Sequence, residues 1–197
     1  MRKSRQETAS TRRRIVETAA VEFRRSGIAG AGVADVMEAT GLTQGAFYRH
    51  FKSKQQLLTE ALDQSVRQLR ASFQEALQRR PGTAGVVAVI ESYLSADHRD
   101  DPTFCPFVAL GSELARESRA VRETATTGFQ ILAQVLSEHL TLLSRVAAKK
   151  EALTLLSLMV GALTVAKFVS DKEMSKSILA QARKDLIEQV RRHWKPE

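Results

Sequence analysis

GIAGAGVADVMEATGLTQGAFYRHFKSKQQLL, residues 27–58, contains two short helical segments separated by one tight turn. The first is expected from about Val33 to Thr40, with Val36 and Met37 facing inward and Gly41 ending it. Thr43 is a suitable N-cap for the second, Gln44 to His50, in which Phe47 and the following Phe51 lie four apart and enter the same core. Ser53 then caps a long helix from about Lys54 to Gln78. Its apolar positions Leu58, Leu62, Val66, Leu69, Phe73 and Leu77 follow a 3.6-residue period. Arg80-Pro81-Gly82 breaks that helix.

Upstream, Ile15, Ala19 and Phe23 recur at four-residue spacing, flanked by Val16 and Ala20, which predicts a first helix from about Thr8 to Arg25. Gly27 follows as its C-cap. Downstream, five further helices are expected at about Thr83–Ala96, Phe104–Glu117, Ala120–Leu143, Lys149–Val169 and Ser175–His193. The fold class is therefore all-α. A helix-turn-helix head, residues 1–52 with a basic N-terminal arm, precedes a larger helical body, residues 53–197, for ligand binding and dimerisation.

Composition supports this and narrows the partners. The 197 residues are 43% hydrophobic, enough for a sizeable core, with ten glycines and four prolines. The formal charge is +8. A basic chain attracts phosphate backbones, because each neutralised phosphate releases counterions, and it attracts an anionic membrane surface by the same charge. Arg2, Lys3, Arg5, Arg12, Arg13 and Arg14 concentrate that charge at the N-terminus against Glu7. Such a run is a nucleic-acid arm or a solvated terminus. The single cysteine, Cys105, precludes an internal disulfide framework and suits a reducing cytoplasm. No apolar signal-peptide core follows the N-terminus. The most apolar stretch, Ala152 to Val169, contains Thr154, Ser157, Thr164 and Lys167, so a helix buried against protein is expected rather than a membrane span.

In a helix-turn-helix, the second helix must present small or polar residues at its leading end, where base edges are reached in the major groove. Here that end reads Thr43, Gln44, Gly45, Ala46. Thr43 and Gln44 offer hydrogen bonds to bases or phosphates, and Gly45 and Ala46 permit close approach. Tyr48, Arg49 and His50 are suited to phosphate contacts, and Lys54 stands at the next helix start, where the dipole favours anions. Packing alone also accounts for a short helix with glycine and alanine, and Tyr48 fits a core position with a polar tip.

The stretch resembles the DNA-binding segment of the TetR family of transcriptional regulators. The resemblance is carried by Ala19, Phe23 and Gly27, then Val33, Ala39 and Gly41-Leu42-Thr43. It continues through Gly45-Ala46-Phe47-Tyr48-Arg49-His50-Phe51 to Ser53-Lys54 and Leu57, and covers about residues 11–60. It implies that Gln44–His50 is the recognition helix, that Tyr48 and His50 hold phosphates, and that Lys54 anchors the DNA backbone. It also implies a homodimer built from the last two helices, whose two recognition helices lie about 34–36 Å apart on duplex operator DNA. A small-molecule effector bound in the body would tilt the fourth helix and release the DNA. One departure is Gly32, where many members place Ser or Thr at the start of the second helix; its backbone amide remains as a phosphate donor.

The helix near 149–169 supplies Leu153, Leu156, Met159, Val160, Leu163 and Val165, with Gly161 and Ala162 allowing close backbone approach. It is too apolar all round for a surface helix. Leu153, Leu156, Val160 and Leu163, with Leu186 and Val190 of the last helix, are the expected dimer contacts; an intramolecular core helix is the alternative. Tyr93, Phe104, Cys105, Phe107, Leu110 and Phe129 are the candidate ligand contacts, with Phe168 a weaker one. Aromatic clusters at helical spacing also serve as plain core.

Cys105 precedes Pro106 at an expected helix start. A helix N-terminus activates a thiol and apolar surroundings silence it, so a sensor of electrophiles or oxidants and an inert buried thiol both stand. His50, His98, His139 and His193 fall in no nucleophile or metal pattern, and no Gly-rich phosphate loop or G-x-S-x-G occurs. His98-Arg99-Asp100 matches a kinase triplet without its other parts. The Asp97, His98, Asp100, Asp101 run reads as a solvated loop rather than a metal site. No enzyme activity, cofactor or metal is expected. A helical protein–protein adaptor is a remote alternative, one that gives no reason for the Thr43–His50 composition.

Overall fold

The computed structural model describes residues 5–101 and 105–192, and the described residues contain helices and no strands. In chain order these are α1 (Arg5–Gly30), α2 (Val33–Ala39), a 3-10 helix (Gln44–Arg49), α3 (Lys54–Arg79), α4 (Thr83–Tyr93), α5 (Ala96–Asp100), α6 (Pro106–Leu114), α7 (Arg119–Ser137), α8 (Arg145–Phe168) and α9 (Lys172–Arg192). The expected Thr83–Ala96 helix ends at Tyr93. Ser95 caps the separate short α5 by accepting from the His98 N–H at 3.0 Å, so six helices rather than five follow α3.

Two apolar clusters organise the chain. The head core joins Ile15, Ala19 and Phe23 of α1 to Val36, Met37, Phe47 and Phe51. It continues into Leu57, Leu58, Ala61 and Leu62 of α3 and into Leu110, Leu114 and Val121 of the body. The head therefore draws on side chains well past residue 52. Burying each large side chain contributes about 1.5–3 kcal/mol. The second cluster runs from Val66 and Phe73 on α3 through α4 and α7 to α8 and α9. α3 is shared by both, its first half facing the head and its second half the body.

Two glycines shape the head. Gly27 takes φ 76 inside the assigned α1, so the straight helix ends there and Ile28–Gly30 form a further turn. A Cβ at Gly27 would also stand 2.7 Å from a Glu113 carboxylate oxygen of α6. Gly41, at φ 69, follows α2. Its N–H donates to the Glu38 carbonyl at 2.8 Å, and the Leu42 N–H to the Met37 carbonyl at 2.9 Å. Those two bonds close the left-handed helix ending that only glycine adopts without strain.

α8 corrects the expected dimer contacts. Leu156 and Leu163 on α8 and Leu186 and Val190 on α9 are buried within the chain's own body core, so they are not surface residues. The helix is apolar around most of its circumference, and the stripe Leu155, Leu156, Met159, Leu163 and Ala166 is the one that packs inward. Val160 is half-buried against the same core, while Leu153, Leu158, Val165 and Phe168 are exposed. By length and composition α8 is apolar enough to cross a membrane. Its packing against α6, α7 and α9 gives that composition a core-forming use.

Candidate nucleic-acid interface

The 3-10 helix begins at Thr43, whose backbone is extended (φ −75, ψ 148) and whose hydroxyl makes no capping bond. The Ala46 N–H instead reaches the Thr43 carbonyl at 2.9 Å. The expected α-helix is tighter than foreseen, since six residues accommodate one hydrogen-bonding pattern as readily as the other.

Phe47 anchors the segment. It is 1% exposed, stacks on Phe51 with ring centroids 5.5 Å apart, and meets the Tyr48 ring edge-on at 5.2 Å. The remaining side chains are turned outward around this anchor. Tyr48 is 71% exposed, which removes the core-residue alternative for it. Thr43, Gln44, Gly45 and Arg49 are exposed as well. Ala46 and His50 are half-buried, and Ala46 packs against the head core. His50 caps the helix through its N–H to the Phe47 carbonyl at 2.8 Å.

Two residues expected to meet phosphate, Gly32 and Lys54, and one residue of the basic arm, Arg12, have partners inside the protein. The Gly32 N–H donates to the Asp35 carboxylate at 2.7 Å, so the amide assigned to a phosphate already has an anionic partner. Lys54 turns its ammonium back to the Ile28 carbonyl at 2.5 Å and lies 5.9 Å from the Phe23 ring centroid. It braces the turn after Gly27 instead of standing clear at the surface. Arg12, in the basic arm, grips Glu60 with both terminal nitrogens at 2.5 and 2.6 Å and covers the Phe51 ring at 4.5 Å. The hydrogen bond to Glu60 holds its pKa above the ordinary value. Arg5, Arg13 and Arg14 are exposed, and Arg2 and Lys3 lie outside the described residues.

The arrangement thus offers one outward ridge carrying hydroxyl, amide, phenol and guanidinium groups above a fixed aromatic base. Small and polar groups at the leading end followed by Tyr48 and Arg49 suit a phosphate-lined groove. The family model described as bacterial regulatory proteins, tetR family, matches residues 15–61. The head of the chain is thus similar to the DNA-binding segment of the TetR family.

Among curated relatives, the transcriptional regulator TtgR of Pseudomonas putida is 38% identical over 63 residues, 32% of this chain. AcrR of Shigella flexneri is 37% identical over 59 residues. The match with TtgR spans 30% of that relative's own length and the match with AcrR 27%. The whole fold is similar to a TetR transcriptional regulator from Chloroflexus aurantiacus, with TM-score 0.75 and 24% identity over 94% of this chain and 96% of that one. It is likewise similar to reduced Escherichia coli NemR, with TM-score 0.77 and 20% identity over 90% and 95% of the two chains.

Among the described residues, the expected ligand contacts are divided between the two apolar clusters. Tyr93 is buried between Phe73 and His98, with ring centroids 6.1 and 4.8 Å away, and burial pushes its phenol well above the ordinary value. Phe107 meets Phe129 edge-on at 5.4 Å. Leu110 belongs to the head core. Phe168 is exposed, and Phe104 lies outside the described residues. Cys105 is 1% exposed and lines a polar cavity; burial raises its pKa, countered in part by contacts with Tyr93 and the α6 N-terminus. Sequence reasoning missed Arg24 and Glu113 altogether. Arg24 is a charged residue on the inner face of α1, an anomaly readable from its place beside Phe23, whereas nothing local marks Glu113.

Proposed function

We propose that this chain is a dimeric transcriptional repressor that holds duplex operator DNA with the 3-10 helix and releases it when a small molecule binds the body. The observation that carries the reading is the outward ridge of Thr43, Gln44, Tyr48 and Arg49, seated on a buried Phe47. Tyr48 is 71% exposed there, and a phenol hydrogen bond to a phosphate would use that exposure. Two copies of one head, related by two-fold symmetry, read two half-sites about one DNA turn apart.

For the partner surface, the exposed face of α8 is the best candidate. Leu153, Leu158, Val165 and Phe168, with Gly161 between them, form an uncovered apolar stripe at helical spacing. Val160 stands at its edge. A repressor is the reading because the relatives matched by the head include a probable acrEF/envCD operon repressor of Escherichia coli and a transcriptional repressor, KstR2, of Mycolicibacterium smegmatis. A cytoplasmic location goes with binding DNA. The alternative of a thiol sensor at Cys105 has burial and a raised pKa against it.

The test is a fluorescence-anisotropy titration with duplex DNA from upstream of the chain's own gene. Binding in low salt that Tyr48→Ala weakens without changing the melting curve supports the reading. Equal retention by both proteins, or none by either, contradicts it.

A further inference from the structure

Arg24 sits on α1 of the head yet is buried, at 6% exposure. Its Nε is buried with no hydrogen-bond partner, and Nη2 reaches the Gln68 side-chain oxygen only at 3.3 Å. It lines a cavity of about 290 Å³ between α1, α3 and the residues Asp101, Cys105 and Pro106. Ser65, Gln68, His98, Asp101 and Cys105 line the same space, and Pro106 places the first turn of α6 at its wall. The cavity therefore has a guanidinium whose Nε donor is unused, hydroxyl and amide groups around it, and the positive end of a helix. Asp101 is the carboxylate in the lining. Its one negative charge acts on Arg24 and on Lys167 alike.

From this geometry we infer that the cavity is the site of a small organic carboxylate, whose acid group accepts hydrogen bonds from Arg24 and whose body lies against Leu69 and Pro106. A planar guanidinium matches a carboxylate with two parallel bonds. Burying a guanidinium donor without a partner is costly. A bound anion supplies the missing partner. Burial lowers the pKa of Arg24, and the charge of Asp101 offsets this only in part. The volume admits a ligand of roughly ten heavy atoms, on the order of the smallest drug-like pockets. Arg24 belongs to the head and Asp101 and Cys105 to the body, so occupancy ties the two together. The inference rests on the reading of an effector-controlled regulator and names the chemistry and place of its effector.

The experiment is isothermal calorimetry on the full-length chain with benzoate and hexanoate, each beside its amide, benzamide or hexanamide. The expected result is saturable millimolar binding of at least one acid, roughly tenfold or more tighter than its amide. Arg24→Gln abolishes that preference. Gln68→Glu, which supplies a carboxylate beside Arg24 from within the chain, weakens acid binding roughly tenfold while leaving the melting temperature unchanged or higher. It decides the matter even if Arg24→Gln does not fold. No saturable binding of either acid, equal binding of acid and amide, or full affinity in Gln68→Glu overturns the site. DNA retention is measured separately on the same proteins. A parent chain that binds DNA but neither acid sinks the site alone. Acid binding that leaves DNA retention unchanged sinks the effector role and spares the site.

Discussion

The tip of the head and its junction with the body are built from similar residues put to opposite uses. At the tip, Tyr48 and Arg49 project from a 3-10 helix whose only deeply buried side chain is Phe47. At the junction, Lys54 and Arg24 are turned inward, and Glu113 of α6 accepts the Ala29 N–H at 3.0 Å, 84 residues away in sequence. Polar groups at the tip are left for a partner, while those at the junction hold the head against the body. The difference teaches that residue type and position near a DNA-binding helix do not settle whether a cation faces phosphate; what settles it is whether a carbonyl or carboxylate of the chain itself lies within reach.

The largest expected effect breaks the tip from beneath. Phe47→Ala removes a fully buried ring and costs about 3–5 kcal/mol of stability, measured by chemical denaturation. A loss under about 1 kcal/mol would mean that the aromatic base does not hold the ridge. The next effect separates outward from inward cations. Tyr48→Phe leaves the melting curve alone and weakens DNA binding about tenfold, as expected for one hydrogen bond to a charged group. Arg49→Ala lowers the slope of log affinity against log salt by about one, the signature of a lost phosphate contact. Lys54→Met leaves that slope unchanged and costs about 1 kcal/mol of stability, since its partner is the Ile28 carbonyl. A salt slope that drops in Lys54→Met as it does in Arg49→Ala would erase the distinction.

Much of the tip was legible because its parts are neighbours in the chain. Gly41 after an amphipathic turn, Thr43 ahead of small residues, and Phe47 and Phe51 four apart each point to the structure found. The 3-10 geometry was not legible, since a single turn carries no periodicity to separate it from an α-helix. The partners of Gly32, Lys54 and Arg12 inside the chain, Asp35, Ile28 and Glu60, were not legible because they are set by packing, which residue type alone does not reveal. The body was less legible still. A helix as uniformly apolar as α8 has no polar face to mark its outside, so Leu156 and Leu163 were indistinguishable from Leu153 and Leu158 until packing sorted them.

Two smaller effects sharpen the junction. Glu113→Gln weakens the charge-assisted bond to Ala29 and costs about 1 kcal/mol at this exposed site. Hydrogen exchange at the Ala29 amide should quicken in that variant while the amides of α2 keep their protection; unaltered exchange at Ala29 would show that the latch carries no strain. The smallest effect is a pH dependence. Burial lowers the pKa of His98, so the folded chain binds fewer protons than the unfolded one once pH falls below the ordinary histidine value of about 6.5. Stability is then unaffected above that value and declines as pH falls from it toward the folded-state pKa. His98→Asn should flatten that part of the melting-temperature profile, and an unchanged decline would assign it to other groups.

The most direct measurement is selection of binding sites from a random duplex pool, run in parallel with the parent chain and a Thr43→Ala, Gln44→Ala double variant. The account predicts an enriched inverted repeat, its half-sites about one turn or a whole multiple apart, with the sequence preference lost in the variant. Enrichment of a single asymmetric site, or an identical preference in both proteins, would contradict it.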